Sequence, residues 1–217
     1  NLTACFAHSF QSYPEHGMKA IMPFIKEAAE ECGSTLENFG PFLFGHPFKI
    51  RDCMMEAHVK SVPIIKSILK NNQPVGVTLS IMDYQAAEDG EEMRDKAYAE
   101  SVDCCLDQIV NDDFVGVQMY TRHTYGPDGI IKPKADDPNM LVMGYEYYPE
   151  SLENVVRYVS SKIKTPIMIT ENGIGTDDDN QRIEYLTTAL QGLQNCLDDG
   201  IDVRGYFCWS LLDNFEW

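Results

Sequence analysis

The chain has 217 residues and carries 17 lysines and arginines against 34 aspartates and glutamates, a formal charge of −17 at pH 7. Neutralising phosphates takes clustered cations, so this balance excludes a nucleic-acid binder and an electrostatic binder of anionic membranes. With 44% hydrophobic, 11% aromatic and 24% charged residues, the composition is that of a folded globular protein and not of a disordered, collagen-like or coiled-coil chain.

The first eight residues lack the basic start and apolar stretch of a secretory signal, and the chain does not begin with Met, so processing or truncation upstream is expected. Asn1-Leu2-Thr3 is formally a glycosylation acceptor, a tripeptide too common to decide the compartment. Residues 12–38 read as helical around Ile21, Ile25 and Ala28, and 38–47, rich in Gly, Pro and Phe, as an irregular connection. Met54, His58, Val62, Ile65 and Leu69 mark an amphipathic helix with a kink expected at Pro63. Four short apolar runs then have the length of buried strands: 75–81, 114–119, 166–170 and 203–209.

Helical periodicity fills the gaps between them. Tyr98, Val102, Cys105 and Ile109 form one face, Leu152, Val155, Val156, Val159 and Ile163 a second, and Ile183, Leu186, Leu190, Leu193 and Leu197 a third. Pro149 suits the first turn of the second helix, and Gly200 the end of the third. Strands alternating with helices mean parallel strands, in an open doubly wound sheet or in a (β/α)₈ barrel. There is no internal repeat and no linker, so no domain boundary is expected. No apolar run reaches the roughly 18 residues of a membrane-spanning helix. The seven cysteines, odd in number and without a Cys-x-x-Cys pair, read as reduced thiols and favour a cytoplasmic location.

Ligands of parallel α/β folds bind at the carboxyl ends of the strands. That rule selects Tyr120, then Glu171 with Asn172 and Gly173, then Trp209 and the tail that follows. A carboxylate ending a buried strand costs several kcal/mol if left dry and unpaired, which makes Glu171 the leading candidate for an active group; the plainer reading is a strand-end acid facing water or a loop cation. Asp83, Glu88 and Glu91, after the first strand, read as a solvated loop. The tail from Trp209 to Trp217 holds two indoles, two acids and an amide. That mixture suits a sugar, whose C–H face stacks on indole, although two tryptophans serve equally as core or interface aromatics.

Thr170-Glu171-Asn172-Gly173, preceded by Pro166-Ile167-Met168-Ile169, resembles the nucleophile motif of family 1 glycoside hydrolases, the β-glucosidase and β-galactosidase group. Trp209-Ser210-Leu211-Leu212-Asp213-Asn214-Phe215-Glu216-Trp217 resembles that family's signature after the eighth barrel strand, and Arg182-Ile183-Glu184-Tyr185-Leu186 its connecting helix. The stretch from Asp113 to Thr121 resembles the sixth strand, and that from Met143 to Glu150 the segment before the next helix. The likeness covers residues 48–217 and is most specific from 114 onward. It implies a (β/α)₈ TIM barrel of which this chain supplies about strands 5 to 8, residues 1–217 being the carboxyl-terminal half of a catalytic barrel without its first half or last helix.

It further implies a retaining β-glycosidase acting on unphosphorylated β-glucosides or related β-glycosides, with Glu171 as nucleophile and Tyr120 positioning it. Gln118, Tyr145, Trp209, Glu216 and Trp217 fall at sugar-contacting positions, and a carboxylate at Glu216 would repel a 6-phosphate. Gln118 replaces the family's usual Asn, Met119 a common aromatic, Tyr145 a frequent Trp and Ala189 a frequent His. The family's acid/base lies in a Thr-x-Asn-Glu motif, and this sequence has no Asn-Glu pair. The partners expected are therefore a small carbohydrate and the remaining half of the barrel, in the same gene product or a complementing chain; the alternative is a non-catalytic carbohydrate-binding or interaction protein derived from a half-barrel. The five histidines lack metal-ligand spacing and no phosphate-binding glycine loop is present, so neither a metal nor a cofactor is implied.

Overall fold

A computed structural model of the chain describes residues 15–36, 39, 47–134 and 137–212. Two helices come first, α1 (Glu15–Glu31) and α2 (Pro47–Ile68). In α1 the buried positions include Ile25 and Ala29, next to the expected Ala28. The predicted connection at 38–47 lies outside the described residues except for Phe39 and Pro47. In α2, Met55 and Val62 are buried but Ile65 is 42% exposed, contrary to its expected place on the inner face. Every residue from 63 to 68 is exposed, so the turns beyond Pro63 extend past the core.

The strands, in chain order, are β1 (Gly76–Ser80), β2 (Asp83–Ala86), β3 (Phe114–Met119), β4 (Arg122–Gly126), β5 (Gly129–Ile130), β6 (Ile167–Asn172) and β7 (Val203–Cys208). Between β2 and β3 lies α3 (Glu91–Tyr98), continued by a π turn at Ala99–Asp103 and a last turn at Cys104–Leu106. Helix α4 (Ser151–Lys162) precedes β6 and α5 (Asp179–Asp198) precedes β7. Gly200, at φ +81°, takes the left-handed conformation that ends α5, and its N–H donates to the Leu197 carbonyl.

The main sheet has the order β1-β3-β6-β7, all parallel. Its four strands sit side by side in chain order, without the reversal that marks a doubly wound sheet, so of the two architectures open to the alternating pattern the chain follows the (β/α)₈ barrel. A smaller sheet, β2-β4-β5, was not legible in the sequence. Its segments Asp-Tyr-Gln-Ala and Arg-His-Thr-Tyr-Gly are too polar to read as buried strands. They pair because they prolong β1 and β3: Ile81 N–H donates to Gln118 O at 2.9 Å and Asp83 N–H to Thr121 O at 3.2 Å, carrying the parallel ladder past the ends of the main strands.

The core lies between sheet and helices. Val115, Val117 and Met119 from β3 and Ile167 and Ile169 from β6 are fully buried, together with Leu152, Val155, Val156 and Val159 from α4 and Val102, Cys105 and Ile109 after α3. Each such aliphatic side chain contributes roughly 1.5–3 kcal/mol by leaving water. These are the faces expected for the first two helices. For α5 the expected face holds at Leu193, with Leu186 partly buried against the core, and is corrected elsewhere. Ile183, Leu190 and Leu197 are 63%, 43% and 42% exposed, and the buried residues are Tyr185, Ala189, Gly192, Leu193 and Cys196. The side facing α4 has to be small: a Cβ added at Gly192 would lie 2.8 Å from Glu153 Cβ.

Asp83 is a second correction. It is a strand residue only 3% exposed, and its Oδ2 accepts from Gln85 Nε2 and Asn154 Nδ2, each at 2.8 Å. Glu88 and Glu91 are exposed. Burial pushes the Asp83 carboxyl above its ordinary range, partly offset by the two amides and Arg122. The folded form therefore holds this proton to higher pH than the unfolded chain, so stability falls as pH rises from about 4 through the raised value. Asp83→Asn removes that slope while keeping an acceptor for both amides. Thermal melts at acid and neutral pH should show the variant gaining stability relative to wild type as pH rises; a difference independent of pH would contradict the buried charge.

Candidate active site

Strand register decides which way Glu171 points. Along β3, Val115, Val117 and Met119 face the helices, leaving Gly116 and Gln118 on the opposite side of the sheet. The pairing runs Gly116 with Met168 and Val117 with Ile169, then slips so that Gln118 faces Glu171. Thr170 is thus the extra residue of a β-bulge, the device by which strands re-aim side chains. Without it Glu171 would follow Ile167 and Ile169 into the helix layer. With it, Glu171 shares a side with Gln118, and Asn172 takes the buried position at 0% exposure.

Both carboxylate oxygens of Glu171 are engaged. Gln118 Nε2 donates to Oε1, and the Tyr120 hydroxyl donates to Oε2 at 2.5 Å. Residues 53 and 51 positions apart in sequence converge on one carboxylate at the carboxyl ends of two neighbouring strands. Neutral donors on both oxygens fix the orientation of the carboxylate.

Beside it lies a buried polar hub. Asn172 Nδ2 donates to Met119 O at 2.8 Å and to the Tyr185 hydroxyl at 3.2 Å, while Asn172 Oδ1 accepts from the Tyr206 hydroxyl at 3.0 Å. Tyr185 in turn donates to Tyr120 O at 3.0 Å. Burial pushes both phenols, Tyr185 and Tyr206, above their ordinary range, so they remain protonated donors. The loop after Gly173 is held by α5: Arg182 donates to Ile174 O at 3.0 Å and Thr176 O at 2.6 Å. Trp209, 40% exposed, joins through its backbone N–H, which donates to Asn172 O at 2.9 Å.

Tyr145 stacks near Tyr120, ring centroids 6.2 Å apart at 29°. The segment bearing it is anchored by Glu146, which receives two bonds from Arg122, at 2.6 and 3.0 Å, while Thr121 Oγ1 donates to Glu146 O at 2.8 Å. The same guanidinium lies 3.8 Å from the centre of the Tyr148 ring and donates to Gln85. Of the residues selected from sequence, Gln118, Tyr120, Tyr145, Glu171 and Trp209 gather around this strand end, and Gln118 meets Glu171 directly. Glu216 and Trp217 lie outside the described residues. Sequence reasoning selected Asn172 only as the neighbour of Glu171 at the strand end, and missed Tyr185, Tyr206, Arg122 and Glu146 as site-building residues. The available signals were a polar residue closing an apolar strand and tyrosines within otherwise aliphatic patterns. Among the described residues, no group of three or more His, Cys, Asp or Glu is placed to hold a metal ion, and no helix is long and apolar enough to cross a membrane.

Known proteins resemble the chain in both sequence and structure. The beta-galactosidase of Sulfolobus acidocaldarius is 29% identical over 198 residues, a match covering 76% of this chain and 40% of that protein. Beta-glucosidase A of Thermotoga maritima is 34% identical over 119 residues, covering 48% of this chain and 27% of that enzyme. The chain therefore spans well under half the length of these relatives. The apo structure of a beta-glucosidase 1317 superposes with a TM-score of 0.79 at 31% identity, over 98% of this chain and 52% of the other. The family profile of glycosyl hydrolase family 1 matches residues 118–217. That match opens on Gln118 and runs through Tyr120, Glu171 and Trp209, the residues that the strand register brings together, and residues 118–217 belong to glycosyl hydrolase family 1.

Proposed function

We propose that this chain is the nucleophile-bearing half of a retaining β-glycosidase acting on unphosphorylated β-glucosides or related β-glycosides. The observation that carries the proposal is the carboxylate of Glu171 at a strand's end, with the Tyr120 hydroxyl and the Gln118 amide on its two oxygens. A carboxylate held in this way is fit to attack an anomeric carbon. The bond to the leaving oxygen breaks as that oxygen takes a proton from a second carboxyl group, about 5–5.5 Å from the first in retaining enzymes. The same group then removes a proton from water, which attacks the anomeric carbon and releases Glu171. That second carboxyl belongs to the half of the barrel this chain does not supply. The relatives' names, beta-galactosidase and beta-glucosidase, support the reaction class. A non-catalytic remnant has no need of two hydrogen-bond donors trained on one carboxylate.

In this reading Trp209 and Tyr145 flank the sugar, and the resemblance to the family assigns its outer hydroxyls to Glu216 and Trp217, which lie outside the described residues. The six described cysteines are free thiols, which supports a reducing, cytoplasmic setting. The decisive test is a 2-deoxy-2-fluoro glycoside applied to the full-length protein, followed by peptide mapping. Covalent label on Glu171 is expected; label on any other residue overturns the assignment.

Residues 1–217 are further proposed to be an incomplete barrel whose remaining strands and last helix cover surfaces now open. Central β3 has five buried residues of six, whereas β7 has none, as expected of a strand awaiting a neighbour. Ile183, Leu190 and Leu197, seven residues apart and exposed, form a stripe on α5 suited to another helix. Expressed alone, the 217 residues should be unstable or dimeric. Size-exclusion chromatography with light scattering checks this, and a monodisperse folded monomer would contradict it.

A further inference from the structure

We propose that Tyr206, Asn172 and Tyr185 form a one-way chain of buried hydrogen bonds that positions Tyr120 against Glu171, so that these three side chains set the turnover rate without touching the sugar. The inference rests on Glu171 being the nucleophile.

The proton directions follow from the partners. The Tyr206 hydroxyl donates to Asn172 Oδ1, which orients the amide. Asn172 Nδ2 then spends its two protons on Met119 O and the Tyr185 hydroxyl. Tyr185, already an acceptor, has its one proton left for Tyr120 O. Every donor is used, and no link can reverse without leaving another group unpaired. Asn172 and Tyr185 are both 0% exposed, so water cannot replace the link between them.

The chain ends where β3 ends. Met119 is the last residue of that strand, and Tyr120 follows it. Successive carbonyls, those of Met119 and Tyr120, are held instead by side chains from β6 and α5. These two bonds set the angle at which Tyr120 leaves the sheet, and the reach of its hydroxyl to Glu171 Oε2 depends on that angle. Asn172 is also the residue next to Glu171 in sequence, so one amide fixes both the carboxylate's backbone and the backbone of its hydroxyl partner. Tyr206 extends the chain to β7, so four separate elements determine one contact.

Because these side chains stay clear of the substrate, their loss should lower kcat and leave KM unchanged, a split that a binding residue does not produce. In the full-length enzyme, Tyr185→Phe removes only a hydroxyl. It is expected to lower kcat on an aryl β-glucoside about tenfold, the scale of a sub-ångström misplacement of a reacting group. The rate of inactivation by the 2-deoxy-2-fluoro glycoside should fall in parallel, with KM within about twofold of wild type. Tyr206→Phe, one link further away, should give a smaller loss of the same kind and carries the test if Tyr185→Phe does not fold. Label on Glu171 together with wild-type kcat and inactivation rates in the folded variant overturns the positioning chain alone. A loss confined to KM also overturns it. Label on a residue other than Glu171 in the wild-type enzyme overturns the nucleophile assignment and this inference with it.

Discussion

Glu171→Ala is expected to lower kcat for β-glycoside hydrolysis by about 10⁴-fold or more, because it removes the atom that forms the covalent intermediate and not an auxiliary contact. The geometry predicts a particular signature as well. Alanine vacates the space in front of Tyr120 and Gln118, whose donors now hold the two carboxylate oxygens. A small anion such as azide can enter there and attack the anomeric carbon from the same side. The C–N bond forms as the bond to the leaving oxygen breaks, and the product is an α-glycosyl azide of inverted configuration. Product analysis by NMR of the full-length variant with azide reads this directly. Activity within about tenfold of wild type, or an azide product of retained configuration, would exclude Glu171 as nucleophile.

Gly173→Ala is expected to be the most damaging small substitution beside the site. A Cβ there would lie 1.9 Å from Trp209 O and 2.9 Å from Trp209 C, both backbone atoms that cannot rotate away. The end of β7 would have to move, breaking the 2.9 Å bond from Trp209 N–H to Asn172 O that ties it to β6. Overpacking of this kind costs about 1–3 kcal/mol or more. At roughly 2–4 °C per kcal/mol, the melting temperature should fall by about 5 °C or more. Catalysis should fall too, because the displaced segment joins Glu171 and Trp209. Gly205→Ala is the control: its Cβ would crowd the flexible end of Met168, at 3.2 Å, and lie at an ordinary 3.7 Å from the Phe207 ring, and should be mild. Equal thermal shifts for the two variants would show that the close backbone approach is not what requires glycine at 173.

The helices show how far periodicity reaches. On α4 the pattern read from sequence matches the buried face, Leu152, Val155, Val156 and Val159 all being at 0% exposure, because one side of that helix is apolar and the others are polar. On α5 apolar residues occupy more than one side, and Ile183, Leu190 and Leu197 are exposed while Tyr185 and Leu193 are buried. The side that packs on α4 is built from Ala189, Gly192 and Cys196, small residues that a hydrophobicity pattern underweights but that close helix approach requires. Asp83 was misread for a related reason. Its polarity suggests solvent, while the prolonged ladder of β2 and β4 buries it against two amides.

Motifs around Glu171 and the Trp209 tail were enough to indicate membership of glycosyl hydrolase family 1, and alternating apolar runs were enough to indicate parallel strands with crossover helices. Both are local properties, written in consecutive residues. What the tertiary structure alone decided is which groups meet. The slip at Thr170 turns Glu171 from the helix layer toward Gln118 and Tyr120, and the same slip buries Asn172 among Met119, Tyr185 and Tyr206. Ladder hydrogen bonds between strands some fifty residues apart set that register, and a shift of one residue reverses the face of every side chain beyond it.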